Sequence, residues 1–375
     1  MEGSFEASAA RKHLRMRGRL GDPRGLLNPR VALPWVLAGL TLLMLAVALL
    51  SVSLGAIRIP PERVLAVLTG GGADPALARD ALVVLNIRLP RTLLGLMIGA
   101  GLAVSGALMQ GLFRNPLADP ALVGVSSGAG FAAACIIVLG DRLLAYAGLP
   151  GPLPYLALPA GAFLGGLSAT LILYALATRS GRTAVATMLL AGIALGALSG
   201  ALTGLLTYAS DDRQLRDLTF WSLGSLSGAT WGKVAASAPL ILPVLVAVPF
   251  LGRGLNALVL GEAEAFHLGI PVERLKRACI FLVAVAVGAS VAGAGVIGFV
   301  GLVVPHALRL AIGPEHRLLL PASALLGGAF LVLADVVARL VAAPAELPIG
   351  IVTALVGAPV FLWLLLGRAR VAADA

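Results

Sequence analysis

The stretch ACIFLVAVAVGASVAGAGVIGFVGLVVPHAL, residues 278–308, decides the fold class. It runs for 31 residues without one Asp, Glu, Lys or Arg. An α-helix rises about 1.5 Å per residue, so a straight helix of this length would measure roughly 46 Å, against a hydrocarbon layer of roughly 30 Å. The run is too long for one membrane span. Gly293, Gly295, Gly298 and Gly301 lie past its middle, and the segment Gly293-Ala294-Gly295-Val296-Ile297-Gly298 is a natural break. The reading is two spans, the second short and ending near Leu310.

Comparable charge-free stretches precede it: Val31–Leu54, Thr92–Phe113, Ala121–Gly140, Leu143–Thr178, Thr183–Ser210 and Val234–Gly252. Pro150, Pro152, Pro154 and Pro159 break the start of the fourth, so its helix is expected from near Tyr155. Two follow, Leu318–Leu340, which holds Asp335 and Arg339, and Leu347–Gly367. Composition agrees. Of 375 residues, 59% are hydrophobic and 12% charged, with a mean hydropathy of +0.98. A soluble core cannot hide that much apolar surface, because cores stop growing with size. Its 46 Gly and 23 Pro are better tolerated in membrane helices than in soluble ones. The chain reads as an all-α polytopic membrane protein of nine or ten transmembrane helices.

The net charge is +10. No basic helix with interleaved aromatics lies outside the apolar runs, so orientation charge explains it better than nucleic-acid binding. Arg11, Lys12, Arg15, Arg17, Arg19, Arg24 and Arg30 crowd residues 1–30, which lack the apolar core of a cleavable signal. The first span is expected to act as its own insertion signal. With ten spans and a cytoplasmic start, 18 of the 28 basic residues fall inside, which favours both termini in the cytoplasm. The expected organisation is a basic tail over 1–30, one transmembrane domain over 31–368 with a cytoplasmic loop at 253–277, and a C-terminal tail over 369–375. The loop 55–91 breaks the charge rule, because it places five arginines outside.

Small residues let membrane helices approach closely. Gly192, Gly196, Gly200 and Gly204 recur every fourth residue in the fifth span, and Gly95, Gly99, Gly106 and Ala107 mark the second. Such stripes read as tight packing or as a groove for a bulky solute. No inverted repeat is evident. Cys135 and Cys279 fall inside apolar runs and read as small buried hydrophobes.

A transporter needs an energy source. No G-x-x-x-x-G-K-S/T phosphate loop occurs, and Gly232-Lys233-Val234 is only a near miss. Catalytic pairs and metal-ligand clusters are not evident, and His13, His267, His306 and His316 are scattered. Ion-coupled carriers place ionisable residues within the membrane. Asp335 is the candidate here, with Arg339 one turn away as a self-neutralising partner.

A set of segments, read together, resembles the permease family of the cobalamin, ferric-siderophore and haem ATP-binding-cassette importers. They are Arg88-Leu89-Pro90-Arg91-Thr92, Ser105-Gly106-Ala107-Leu108-Met109-Gln110 and Phe113-Arg114-Asn115-Pro116-Leu117-Ala118-Asp119-Pro120. Gly298-Phe299-Val300-Gly301-Leu302-Val303-Val304-Pro305-His306 and Ala345-Glu346-Leu347-Pro348-Ile349-Gly350 complete the set. The resemblance runs from about Ala81 to Leu366. It implies ten spans and an importer permease fold of the cobalamin/iron-chelate type in the bacterial inner membrane. It also implies a homodimer with two ATPase subunits below and a periplasmic binding protein above. The chain itself is expected to hold no cofactor, with ATP and Mg on the partner ATPase.

Three sites follow from the resemblance. Arg88, Arg91 and Arg339 match the rim arginines that face glutamates of the binding protein, which would explain the basic outer loop; Arg suits bidentate carboxylate pairing. Gly261, Glu262, Ala265, Leu268 and Gly269 match the segment that engages the ATPase. Residues 262–268 can form two turns, stopped by Gly269 and Pro271, with Ala265 and Leu268 sharing a face. Arg274, Lys276 and Arg277 then anchor the next span on the inner side. Thr183, Ala184 and Val185 match the inner gate of a path lined by the fifth and tenth spans. Cobalamin-carrying members have hydroxyls near two of these positions, whereas Ala184 and Val185 are apolar, which suits closure by dewetting. The stretch Gln214–Leu226 is most similar to haem permeases, so haem is the expected cargo. Ferric siderophores come next and cobalamin third. His306 lies in a motif shared across cargoes and reads as structural.

Overall fold

The computed structural model describes residues 29–55, 57–70, 76–147, 153–179, 181–343 and 345–373. The chain divides into an N-terminal unit, residues 1–39, and a unit formed by residues 40–375. The first contributes the opening turns of α1 (Pro29–Ser53). Nearly all of the expected basic tail lies outside the described residues.

In the second unit, α1 is followed by the short α2 (Pro61–Leu68) and α3 (Ala78–Val83). A π-helical turn at Val84–Arg88 joins α3 to α4 (Leu89–Leu112). A 3-10 turn at Pro120–Val123 leads into α5 (Val125–Ala147), and α6 (Leu153–Ala177) follows. A two-residue hairpin, β1 (Thr178–Arg179) with β2 (Arg182–Thr183), pairs antiparallel with Thr178 opposite Thr183. Next come α7 (Val185–Tyr208), α8 (Asp212–Ser222), α9 (Trp231–Ala247), α10 (Gly252–Leu260) and α11 (Glu262–His267). The chain closes with α12 (Val272–Ala294), α13 (Val300–Ile312), α14 (His316–Val341) and α15 (Ile349–Ala373).

Seven stretches are long and apolar enough to cross a bilayer: Pro34–Ser53, Ala78–Leu112, Ala157–Ala177, Val185–Tyr208, Trp231–Leu260, Val272–Ala294 and His316–Val341. Three shorter apolar helices, Val125–Gly140, Val300–Ile312 and Ile349–Trp363, bring the described set to the ten expected. The final helix continues to Ala373, through most of the stretch expected as a C-terminal tail.

The 278–308 run breaks where its glycines predict. The α12 helix stops at Ala294, Gly295 takes φ +74°, and α13 starts after Phe299 at φ +68°. A break inside a membrane bundle must find partners for its backbone. Here the Ser225 N–H donates to the Ala294 carbonyl at 2.8 Å. A side chain at Gly295 would collide with the Trp221 carbonyl, so only glycine fits this corner. The N-terminus of α15 packs on the same turn: Ile349 N–H donates to Gly224 at 3.0 Å and Gly350 N–H to Leu223 at 3.1 Å.

At the centre lies α4, buried over most of its length and packed against α9, α12, α13 and α14. Its glycines serve packing. A Cβ at Gly99 would strike the Gly327 carbonyl of α14, and one at Gly106 the Gly301 carbonyl of α13. The α7 stripe differs. A Cβ at Gly200 or Gly204 would meet nothing within 4 Å, and one at Gly196 only Ser127 Oγ at 4.0 Å. Gly192 is buried. Leu190, Ile193, Leu198 and Leu205 of the same helix are exposed. Within this chain the outer part of the stripe is an open surface.

Candidate functional site

One end of the bundle carries a charged knot. Arg91, in the first turn of α4, donates from Nη2 to Asp335 Oδ1 at 2.8 Å and from Nε to both Asp335 oxygens at 3.1 Å. Its Nη1 reaches the Glu346 carboxylate at 2.9 and 3.0 Å. Arg339 pairs with Asp335 through Nε at 3.0 Å. The rest of its fork donates to the Leu54 carbonyl and to Ser51 Oγ, each at 3.0 Å. Arg88 donates to the carbonyls of Val52 at 2.7 Å and Ser53 at 2.8 Å, and also to that of Ile57.

The three arginines singled out for docking thus meet at one rim, joining α1, α4 and α14. Their guanidiniums, however, are turned inward and engaged by the chain's own oxygens. The i,i+4 pairing of Asp335 with Arg339 was legible in the sequence; the Arg91 and Glu346 partners, far apart in sequence, were not. The exposed basic side chains of the preceding loop are Arg58, Arg63 and Arg79, and Arg63 pairs with Asp80 at 2.9 Å. Glu346 keeps 39% of its side chain exposed.

Along α7 the open glycine face borders a cavity of about 390 Å³. Its lining mixes hydroxyls with apolar groups, among them Ser127, Phe131, Gly200, Thr203, Trp221 and Ser222. Thr207 and Thr219 also reach it, so parts of α5, α7 and α8 share one concave wall.

At the opposite end of α7, the residues expected at the gate lie in and just after the β1–β2 hairpin. Thr183 is buried, Ala184 exposed and Val185 half-buried. Thr183 Oγ1 bonds Thr178 Oγ1 at 3.1 Å across the hairpin. The Ala184 N–H closes it onto the Ala177 carbonyl at 2.9 Å.

The segment expected to engage the ATPase folds as a single short helix, α11, between Gly261 at φ +133° and Gly269 at φ +80°. The stop is a Schellman motif, with Gly269 N–H donating to Phe266 at 2.9 Å and Ile270 N–H to Ala265 at 3.0 Å. One expectation needs correction. Ala265 is fully buried, while Phe266 and Leu268 are 70% and 63% exposed. Leu268 is still held in the last turn, its N–H donating to the Glu264 carbonyl at 2.9 Å, but α11 lies with Ala265 against the chain and Leu268 turned to the outside. The apolar surface on offer is Phe266 with Leu268.

Lys276 departs from its expected role too. The sequence predicts an anchor on the inner side beside Arg274 and Arg277. Those two are exposed, but Lys276 is 2% exposed. Its Nζ donates to Glu262 Oε2 at 2.7 Å, the Thr183 carbonyl at 3.0 Å and Glu273 Oε1 at 3.1 Å. Glu273 Oε2 in turn accepts the Thr183 N–H at 3.1 Å.

Ten apolar helices among the described residues, a break between the seventh and eighth, and a Gly-packed central helix make a specific combination, and residues 42–367 match the FecCD transport family. The chain belongs to the FecCD transport family. It is therefore a polytopic membrane permease. Among similar proteins, the hemin transport system permease protein of Yersinia pestis is 45% identical over 342 residues, covering 91% of this chain and 98% of that protein. The vitamin B12 import system permease protein of Salmonella typhi is 46% identical over 336 residues, covering 90% and 96%. The cobalamin import system permease protein of Halobacterium salinarum is 43% identical over 341 residues, covering 88% and 89%. A solved structure described as an inward-facing conformation of a metal-chelate type ABC transporter superposes with a TM-score of 0.76 at 34% identity, covering 89% of this chain and 99% of that one. This FecCD permease thus has the importer permease fold of the cobalamin/iron-chelate type.

Proposed function

We propose that this chain is the transmembrane subunit of an ATP-driven importer that carries haem across the bacterial inner membrane, with both termini cytoplasmic. Two copies form the path, two ATPase subunits dock on α11, and a periplasmic binding protein delivers cargo to the charged rim. The observation that supports this reading best is the wall beside α7. It is concave, apolar and dotted with hydroxyls, and its glycine stripe is left uncovered by the chain's own helices. A second copy across that face would close a path between two such walls, and packing there would bury the exposed leucines of α7.

The rim suits an acidic partner in a particular way. Arg58 and Arg79 are open to solvent. Arg91 sits behind Glu346, so an incoming carboxylate has to displace Glu346 to reach it. Arg88 supports the rim by bracing the end of α1.

An ion-coupled carrier is the competing class, with Asp335 as its ionisable group. Against it stands the engagement of the buried Asp335 carboxylate by two guanidiniums, Arg91 and Arg339, near a helix end, the geometry of a structural ion pair.

Sequence identity to hemin and vitamin B12 permeases is nearly equal. Haem is preferred because the Gln214–Leu226 stretch resembles haem permeases and contributes Trp221, Thr219 and Ser222 to the cavity. The ferric siderophores remain the second reading. The test is uptake by proteoliposomes holding the permease with its ATPase and binding protein. Haem should accumulate faster than ferric siderophore or cobalamin; preferential uptake of either of those would replace haem as cargo.

A further inference from the structure

Two segments that matter to transport lie 79 residues apart, counting from Thr183 to Glu262. In space they meet at one ammonium group. A lysine ammonium has three N–H donors and no acceptor. Those of Lys276 are matched by three oxygens, one from each of three elements: Glu262 of α11, Glu273 of the first turn of α12, and the Thr183 carbonyl of the hairpin. Glu273 closes the circuit by accepting the Thr183 N–H. Both backbone polar groups of Thr183 are thereby held by α12 side chains.

The rest of the geometry gives this tie a consequence. The α11 helix is flanked by Gly261 and Gly269, both at positive φ, and glycine bends more freely than any other residue. A push on the exposed Phe266–Leu268 surface would tend to swivel α11 on those two hinges and dissipate there. The Glu262–Lys276 pair opposes that. Lys276 is almost wholly buried, so withdrawing Glu262 or Thr183 leaves part of its charge uncompensated away from water. The three elements are held to move together.

We propose that Lys276 is a positioning residue that transmits motion of α11 to the gate hairpin at Thr183–Val185. It makes nucleotide-driven displacement of the coupling helix reach Ala184 rather than be absorbed at Gly261 and Gly269. This rests on the reading of the chain as an importer permease and adds the specific link between its two inner parts.

The experiment uses the assembled complex of permease and ATPase in liposomes. A reporter cysteine is introduced by Ala184→Cys at the exposed gate position, and its maleimide labelling rate is compared without nucleotide and with ATP plus vanadate. The parent should show a clear nucleotide-dependent difference. Lys276→Met and Glu262→Gln should each shrink that difference to less than a fifth, and Lys276→Arg should restore part of it, as a merely structural lysine would not predict. Glu262→Gln covers the case in which Lys276→Met fails to fold, because Glu262 is 45% exposed at its side chain and its loss leaves Glu273 and Thr183 on Lys276. A nucleotide-dependent difference that persists in the variants overturns the relay alone. Its absence from the parent overturns the importer reading and the relay with it.

Discussion

Arg91 Nη2 lies 2.8 Å from Asp335 Oδ1, binding the start of α4 to the last turns of α14 across 244 residues of chain. Asp335 is 2% exposed and shares its second oxygen with Arg339. Removing one partner of a buried pair costs roughly 3–5 kcal/mol, because the other charge stays buried and unpaired. Asp335→Asn should therefore lower the thermal stability of the permease in detergent. Uptake should fall in proportion to the folded protein recovered. Full stability with abolished uptake would instead mark Asp335 as a working ionisable group.

Glu346 occupies Arg91 Nη1 while remaining partly exposed. A half-exposed ion pair contributes about 0–1 kcal/mol. Glu346→Gln should release Arg91 to an incoming carboxylate and raise binding-protein affinity by up to about fivefold, with a steeper salt dependence. Titration of the partner at two ionic strengths reads both. Unchanged affinity would mean that Arg91 serves the fold and docking belongs to Arg58 and Arg79. Reversing Arg91 itself is a poor probe, since a glutamate there would face Asp335 and Glu346.

The two glycine stripes should respond oppositely. Gly106→Ala drives a methyl into the Gly301 backbone and should cost about 1–3 kcal/mol or more through overpacking. Gly200→Leu adds its side chain where a Cβ meets nothing within 4 Å inside the chain. It should leave the melting temperature of the single chain unchanged yet impair uptake or copy-to-copy cross-linking. Equal loss of stability in both variants would contradict the open reading of α7.

The coupling helix should answer to charge at its exposed end. Leu268→Asp puts a carboxylate where an apolar contact is expected, and an unpaired charge buried in a cleft is costly. ATPase co-purification should fall about tenfold or more, a loss of about 1.4 kcal/mol in binding. Ala265→Asp would disturb the helix from within and reports on folding instead. Normal assembly of the Leu268→Asp permease would remove α11 from the interface.

The span pattern was readable because apolar run length is a one-dimensional signal. The 31-residue run exceeds what one span needs, and its glycines mark the corner that Gly295 and Phe299 make. The Asp335–Arg339 pair was readable because helical spacing alone brings the two together. Arg91 and Glu346 were not, since only tertiary packing places them on the same carboxylate. Lys276 misled for a related reason. A lysine among arginines before an apolar run looks like a headgroup anchor, and nothing local shows that the Thr183 carbonyl waits beside it. Ala265 was misplaced because spacing shows which residues of a short helix are neighbours, whereas only tertiary packing decides which of them turns inward, here Ala265 rather than Phe266 or Leu268.

The central claim is that this FecCD permease moves cargo on ATP hydrolysed by partner subunits. The most direct measurement is haem accumulation by proteoliposomes containing the permease, its ATPase and its binding protein, under two separate driving conditions. With ATP supplied to the ATPase side and no ion gradient, haem should accumulate, and vanadate should stop it. An imposed proton or sodium gradient without ATP should produce none. Accumulation that follows the gradient and ignores ATP would contradict the account and return Asp335 to the centre of the mechanism.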